Sequence, residues 1–263
     1  MNVKEYRRQI ESQLNAAAVP EAAGADLASA AAPQQRWAEA IRQLADPHLD
    51  PEARKAALQV LQAGTFLGSQ FAPLRADYVA ALRTAATGAA ADLRRSALDV
   101  LVNLKDEFAR QKLVEGLRGI GEALVPPAAA LGLLARDDHS SASAIARDLL
   151  NRAADIYTRA QAVRVLGSDP SAKSLLAEIM KNKEEFREVR RASAVALRSL
   201  DRQAFERTAL DILRDHSDFE DIKSTVRGAL EHAGVEVPSV STWRQIIESI
   251  KGLLKPRSND RNE

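Results

Sequence analysis

Apolar residues return along this chain at intervals of three and four, the spacing of one face of an α-helix. In "LDPEARKAALQVL", residues 49–61, Ala57, Leu58 and Leu61 fall at +3, +4 and +7 from Arg54. The same frame follows three more arginines. Arg94 leads to Ala97, Leu98 and Leu101; Arg159 to Ala162, Val163 and Leu166; Arg190 to Ser193, Ala194 and Leu197. Weaker copies start at Ala128, with Leu131, Gly132 and Ala135, and at Lys223, with Val226, Arg227 and Leu230. Successive anchors lie 40, 34, 31, 31 and 33 residues apart, the length of a two-helix unit. No apolar–polar alternation runs long enough for a convincing strand. The pattern predicts an all-α fold.

Each anchored helix is preceded by another amphipathic stretch, at residues 34–45, 72–86, 107–118, 140–152, 172–181 and 202–214. Small residues at +3 let a neighbouring helix come close, and large ones at +7 fill the seam. The anchoring arginine lies one turn earlier, where its guanidinium reaches acidic or carbonyl groups at an inter-helix turn. Turn chemistry supports the frame. Asp50 is an N-cap with Pro51 at N1, and Gly167 suits a C′ position before "SDP". "VPP" at 125–127 opens a helix, and "LRGIGEAL" at 117–124 breaks one. "LARDDHSS" at 134–141 falls between repeats, whereas the similar "LRDHSD" at 213–218 falls within one.

The ends differ from the middle. Residues 1–32 read as an amphipathic helix, striped by Val3, Tyr6, Ile10 and Leu14, and a linker rich in small residues. Residues 33–234 are the repeat array. Residues 235–255 read as a C-terminal capping helix, N-capped by Ser241 or Thr242 and buried through Trp243, Ile246, Ile247, Ile250 and Leu254. Residues 256–263 read as a disordered tail.

Composition narrows the chemistry. The 263 residues are 46% hydrophobic and 4% aromatic, with 37 basic against 36 acidic side chains. Net charge near zero supplies no global field toward nucleic acid or an anionic membrane. Without cysteine there is no disulfide framework or thiolate chemistry, and a cytoplasmic location is expected. The charged N-terminus lacks the apolar stretch of a signal peptide, and no run is long enough to span a membrane.

Catalytic signals are weak. His48, His139, His216 and His232 make no metal-ligand spacing. Asp137, Asp138 and His139 invite a metal or acid–base reading, but helix capping alone accounts for aspartate and serine there. No nucleophile elbow or phosphate-binding glycine loop is present. Residues 181–214 carry nine Lys/Arg and six acids, read as a salt-bridged face in preference to a phosphate-binding patch. The expectation is therefore no catalytic, cofactor or metal site.

Paired helices whose second member reads Asp-Pro, Arg, Ala, Leu resemble the HEAT-repeat family, in its short bacterial form. Asp50, Pro51, Arg54, Ala57, Leu58 and Leu61, and their counterparts near Arg94, Arg159 and Arg190, carry the likeness. The copy at Ala128 lacks the arginine and that at Lys223 replaces it. The resemblance implies a right-handed α-α superhelix, a solenoid of about six helix pairs between capping helices. It also implies a non-enzymatic scaffold that binds another protein through its concave face or ends. Second helices line the inner surface of such a stack, so Gln59, Gln62, Asp99, Asn103, Arg164, Arg191 and Arg198 are the candidate partner-binding residues. Alternatives are a HEAT-like DNA glycosylase-type protein, a bilin-lyase-type enzyme subunit, and a membrane-surface adaptor acting through the N-terminal helix.

Overall fold

A computed structural model describes residues 31–137, 139–152, 155–235 and 237. The helix expected at 3–18, the cap carrying Trp243, and the tail lie outside the described residues. Among those residues there are twelve α-helices and no strand. They are α1 (Ala31–Ala45), α2 (Pro51–Thr65), α3 (Arg75–Ala86), α4 (Ala91–Asn103), α5 (Glu107–Arg118) and α6 (Pro127–Asp137), then α7 (His139–Asn151), α8 (Ile156–Leu166), α9 (Lys173–Lys181), α10 (Arg187–Leu200), α11 (Arg202–Arg214) and α12 (Glu220–His232). No helix among the described residues is long and apolar enough to cross a membrane.

The boundaries follow from caps. Asp50 accepts hydrogen bonds from the Glu52 and Ala53 amides at 3.0 and 3.2 Å, ahead of Pro51. Asp106, Asp155 and Asp201 cap α5, α8 and α11 in the same way. Each satisfies amides that the first helical turn leaves unpaired. Gly119, at φ 70°, ends α5 in the left-handed conformation that glycine adopts without strain. Around Pro73 the chain makes two short 3-10 turns, Gly68–Gln70 and Ala72–Leu74, so α3 starts at Arg75, three residues later than the pattern predicts.

Gly167 departs from its expected role. It follows α8 with φ −62°, a right-handed conformation open to any residue. Space is what favours glycine: an added Cβ would meet the Ala196 Cβ and the Arg164 carbonyl oxygen, both at 3.1 Å, so α10 would have to give by a few tenths of an ångström. The residue permits close approach of α10.

The chain forms two compact units, Met1–Ala142 and Ser143–Glu263. In the first, α1 packs on α2 and α3, α3 on α4 and α5, α2 on α4, and α4 on α6. First helices thus stack on first helices and second on second. In the second unit α9 packs on α10 and α11, α8 on α10, and α10 on α12. The repeat positions form the cores: Ala57, Leu58, Leu61, Ala97, Leu98, Leu101, Ala162, Val163, Leu166, Ser193, Ala194 and Leu197 are all buried. An aromatic chain fills one part of the first unit, with Trp37 edge-on to Phe71 at 5.4 Å and Phe71 edge-on to Tyr78 at 5.5 Å. Burial pushes the Tyr78 phenol up to about 12.

Candidate partner-binding groove

The anchors show which charged residues are committed to the fold. Arg54 is buried, and its Nε and Nη2 donate to the Leu44 carbonyl at 3.0 and 2.9 Å, closing the last turn of α1. Arg94 donates to the Gly88 carbonyl at 3.0 Å, while its buried Nε has no hydrogen-bond partner among the described residues. In the second unit the anchor acquires a second partner. Arg159 donates from Nη1 to the Leu150 carbonyl at 2.7 Å and from Nε to Glu185 at 3.0 Å. Arg190, 1% exposed, donates from Nε to the Met180 carbonyl at 2.9 Å. Its Nη1 and Nη2 form a fork on Asp218 at 2.8 and 2.6 Å. Glu185 and Asp218 each also accept the amide of the following phenylalanine, Phe186 or Phe219. Burial raises the Asp218 carboxyl, but the Arg190 bonds and the Phe219 amide outweigh it and hold the group below the usual carboxylate range.

A second set of bridges lies on the first-helix side, and sequence reasoning missed it. Arg83 of α3 reaches Asp106 at 2.7 Å, Arg147 of α7 reaches Asp169 at 2.8 Å, and Lys173 of α9 reaches Asp201 at 2.9 Å. Each acid caps the turn or helix that opens the next pair. The signal was the aspartate at each of these openings, 106, 169 and 201, with a cation one helix pair earlier.

Side chains between the repeated positions remain for other duties, and in the first unit they converge. A groove of about 280 Å³ runs between α2 and α4, lined by Lys55, Leu58, Gln59, Gln62, Arg95, Ser96 and Asp99. Leu58 is its buried floor. Three of the sequence-derived candidates, Gln59, Gln62 and Asp99, therefore share one site. The fourth of this group, Asn103, stands at its end. There Arg136 of α6 pairs with Asp99 and donates from Nη2 to Asn103 Oδ1 at 2.6 Å. Lys55 and Arg95 have no ion pair or hydrogen bond among the described residues. Each stands one residue after its anchor, so the repeat register brings the two cations onto one groove. Sequence reasoning named neither, although both are displayed beside Arg54 and Arg94.

The second unit treats the equivalent positions differently. Arg191, in the place of Lys55 and Arg95, pairs with Asp221 at 2.5 Å. Arg164, in the place of Gln59 and Asp99, is exposed and has only a 3.4 Å bond to Gln161. The next pair has Val195 there, 63% exposed. Arg198 is exposed. The basic stretch 181–214 is largely paired within itself or with neighbouring acids: Lys183 with Asp215, Arg187 with Asp221, Arg202 with Glu206. Exposed aromatics mark one edge instead. Tyr157, Phe186 and Phe219 sit at the starts of α8, α10 and α12, 78%, 51% and 38% exposed, and the Arg187 guanidinium lies 4.3 Å over the Phe219 ring. The Arg159–Glu185 and Arg190–Asp218 bridges tie these three helix starts in series.

Metal chemistry has no cluster to use: no group of three or more His, Asp or Glu among the described residues is arranged to hold an ion. Asp138 lies outside the described residues. Comparison of the chain with protein-family models, curated proteins and solved structures finds no match.

Proposed function

We propose that the chain is a non-enzymatic, HEAT-like α-solenoid scaffold in the cytoplasm that binds another protein through the surface of its second helices. The observation that carries this reading is the groove between α2 and α4. Its walls are polar side chains at non-core positions, and the side chains of Lys55, Gln59, Gln62 and Arg95 have no partner among the described residues. Residues at the repeated positions are consumed by packing or by the carbonyls of preceding helices, so recognition falls to the positions between them. Pairwise stacking of first on first and second on second helices supports the solenoid.

The test uses the full chain carrying a photo-crosslinking residue at Gln59, or at the exposed Thr84 of α3, in its native cell. Crosslinks to one protein from Gln59 and not from Thr84 are expected. Crosslinks from Thr84 alone would move recognition to the first helices, and crosslinks from neither would end the scaffold reading.

A further inference from the structure

Resting on the scaffold reading, we infer that the α2–α4 groove takes an extended, acidic segment of the partner protein. Lys55 on one wall and Arg95 on the other give the groove two cations. Its one acid, Asp99, is already paired with Arg136, so the groove lining offers Lys55 and Arg95 no carboxylate of its own. A guanidinium and an ammonium both recognise carboxylates, the guanidinium through a planar fork. Gln59 and Gln62 each offer a carbonyl acceptor and an amide donor, the complement of an extended backbone that presents C=O and N–H in alternation. At about 280 Å³ the groove suits a short run of chain, below the range of most drug-sized ligand sites, and no folded surface.

The lining argues against nucleic acid. No aromatic side chain is present on which a base would stack. Glu52 and Asp92 lie one turn before Lys55 and Arg95 on the same helix faces, and both are exposed. They repel a backbone with a phosphate at every step. A peptide whose acids are spaced by neutral residues sets its carboxylates on the cations and its neutral residues beside those acids.

The experiment is fluorescence anisotropy with the full chain and three probes: a short labelled peptide of aspartate and glutamate spaced by glycine and serine, its asparagine and glutamine counterpart, and a single-stranded oligonucleotide. The acidic peptide should bind in a salt-sensitive way and the amide peptide should not. Lys55→Glu with Arg95→Glu should weaken binding at least about tenfold. Gln59→Ala with Gln62→Ala should weaken it less, and Arg75→Glu, at an exposed residue outside the groove, should leave it unchanged, with all variants melting as the parent does. Equal binding of the amide peptide, equal loss from Arg75→Glu, or groove-dependent binding of the oligonucleotide in place of the peptide would each overturn the inference. If the crosslink from Gln59 survives Lys55→Glu with Arg95→Glu, the acidic chemistry is wrong while the scaffold reading stands. If neither Gln59 nor Thr84 crosslinks, the scaffold reading itself has failed.

Discussion

The two units begin from the same repeated arginine and spend charge in opposite ways. In the second unit, Arg159 and Arg190 each hold the end of the preceding helix and a carboxylate of the following pair. Even the residue after the anchor, Arg191, is paired. In the first unit, Arg54 and Arg94 reach carbonyls alone. There the cations after the anchor, Lys55 and Arg95, face a groove. One motif thus closes a stack in one region and flanks an open groove in the other. What differs is the residue two before the next second helix: Glu185 and Asp218 in the second unit, Ala89 and Val125 in the first.

That comparison breaks most visibly at Asp218. Asp218→Asn leaves a buried guanidinium short of its counter-charge and should cost roughly 3–5 kcal/mol, read by urea denaturation. Replacing both partners by apolar residues, Arg190→Met with Asp218→Leu, should recover much of it. A cost near zero for Asp218→Asn would remove the bridge as a structural element.

Acid tests the same contrast more gently. The folded-state pKa of Asp218 lies below its unfolded value of about 3.9. Its contribution is therefore present above that pH and is lost as the pH falls through the folded value. Amide exchange in α10 and α12 should accelerate on acidification before exchange in α2 and α4, whose anchors bind no carboxylate. Simultaneous loss would show that the bridge does not set local stability.

Smaller effects sharpen the picture from the other side. Arg94→Leu removes one carbonyl hydrogen bond and a buried, unpartnered Nε, and should cost no more than about 1.5 kcal/mol. A loss as large as that at Asp218 would erase the difference between the units. Lys55→Glu with Arg95→Glu should change stability by less than about 0.5 kcal/mol, because neither cation has an ion pair or hydrogen bond among the described residues.

Much of this was legible beforehand. In the four arginine-anchored copies the +3, +4, +7 frame identified core positions that are all buried, while in the two weaker copies Gly132 and Arg227 are half-buried; a helix face and a stacking neighbour impose one period on the sequence. Asp50 was readable as a cap, since capping depends on a residue and its next three neighbours. The partners of the anchors were not. Arg190 and Asp218 are 28 residues apart, and only the stacking of pairs brings them together. The groove was half legible for the same reason. Gln59 and Gln62 were visible as polar positions on a second helix. That Asp99 is neutralised by Arg136, 37 residues away, and that Lys55 and Arg95 have no partner among the described residues belongs to the packing. Gly167 looked like a turn glycine, because the sequence does not display the Ala196 methyl that crowds a side chain there.

The most direct test is hydrogen exchange on the full chain with and without the acidic peptide. Protection confined to Pro51–Thr65 and Ala91–Asn103, and lost with Lys55→Glu and Arg95→Glu, is the predicted result. Protection centred on Ile156–Leu166 and Arg187–Leu200, or none at peptide concentrations that saturate anisotropy, would contradict the division between a self-paired unit and a recognising one.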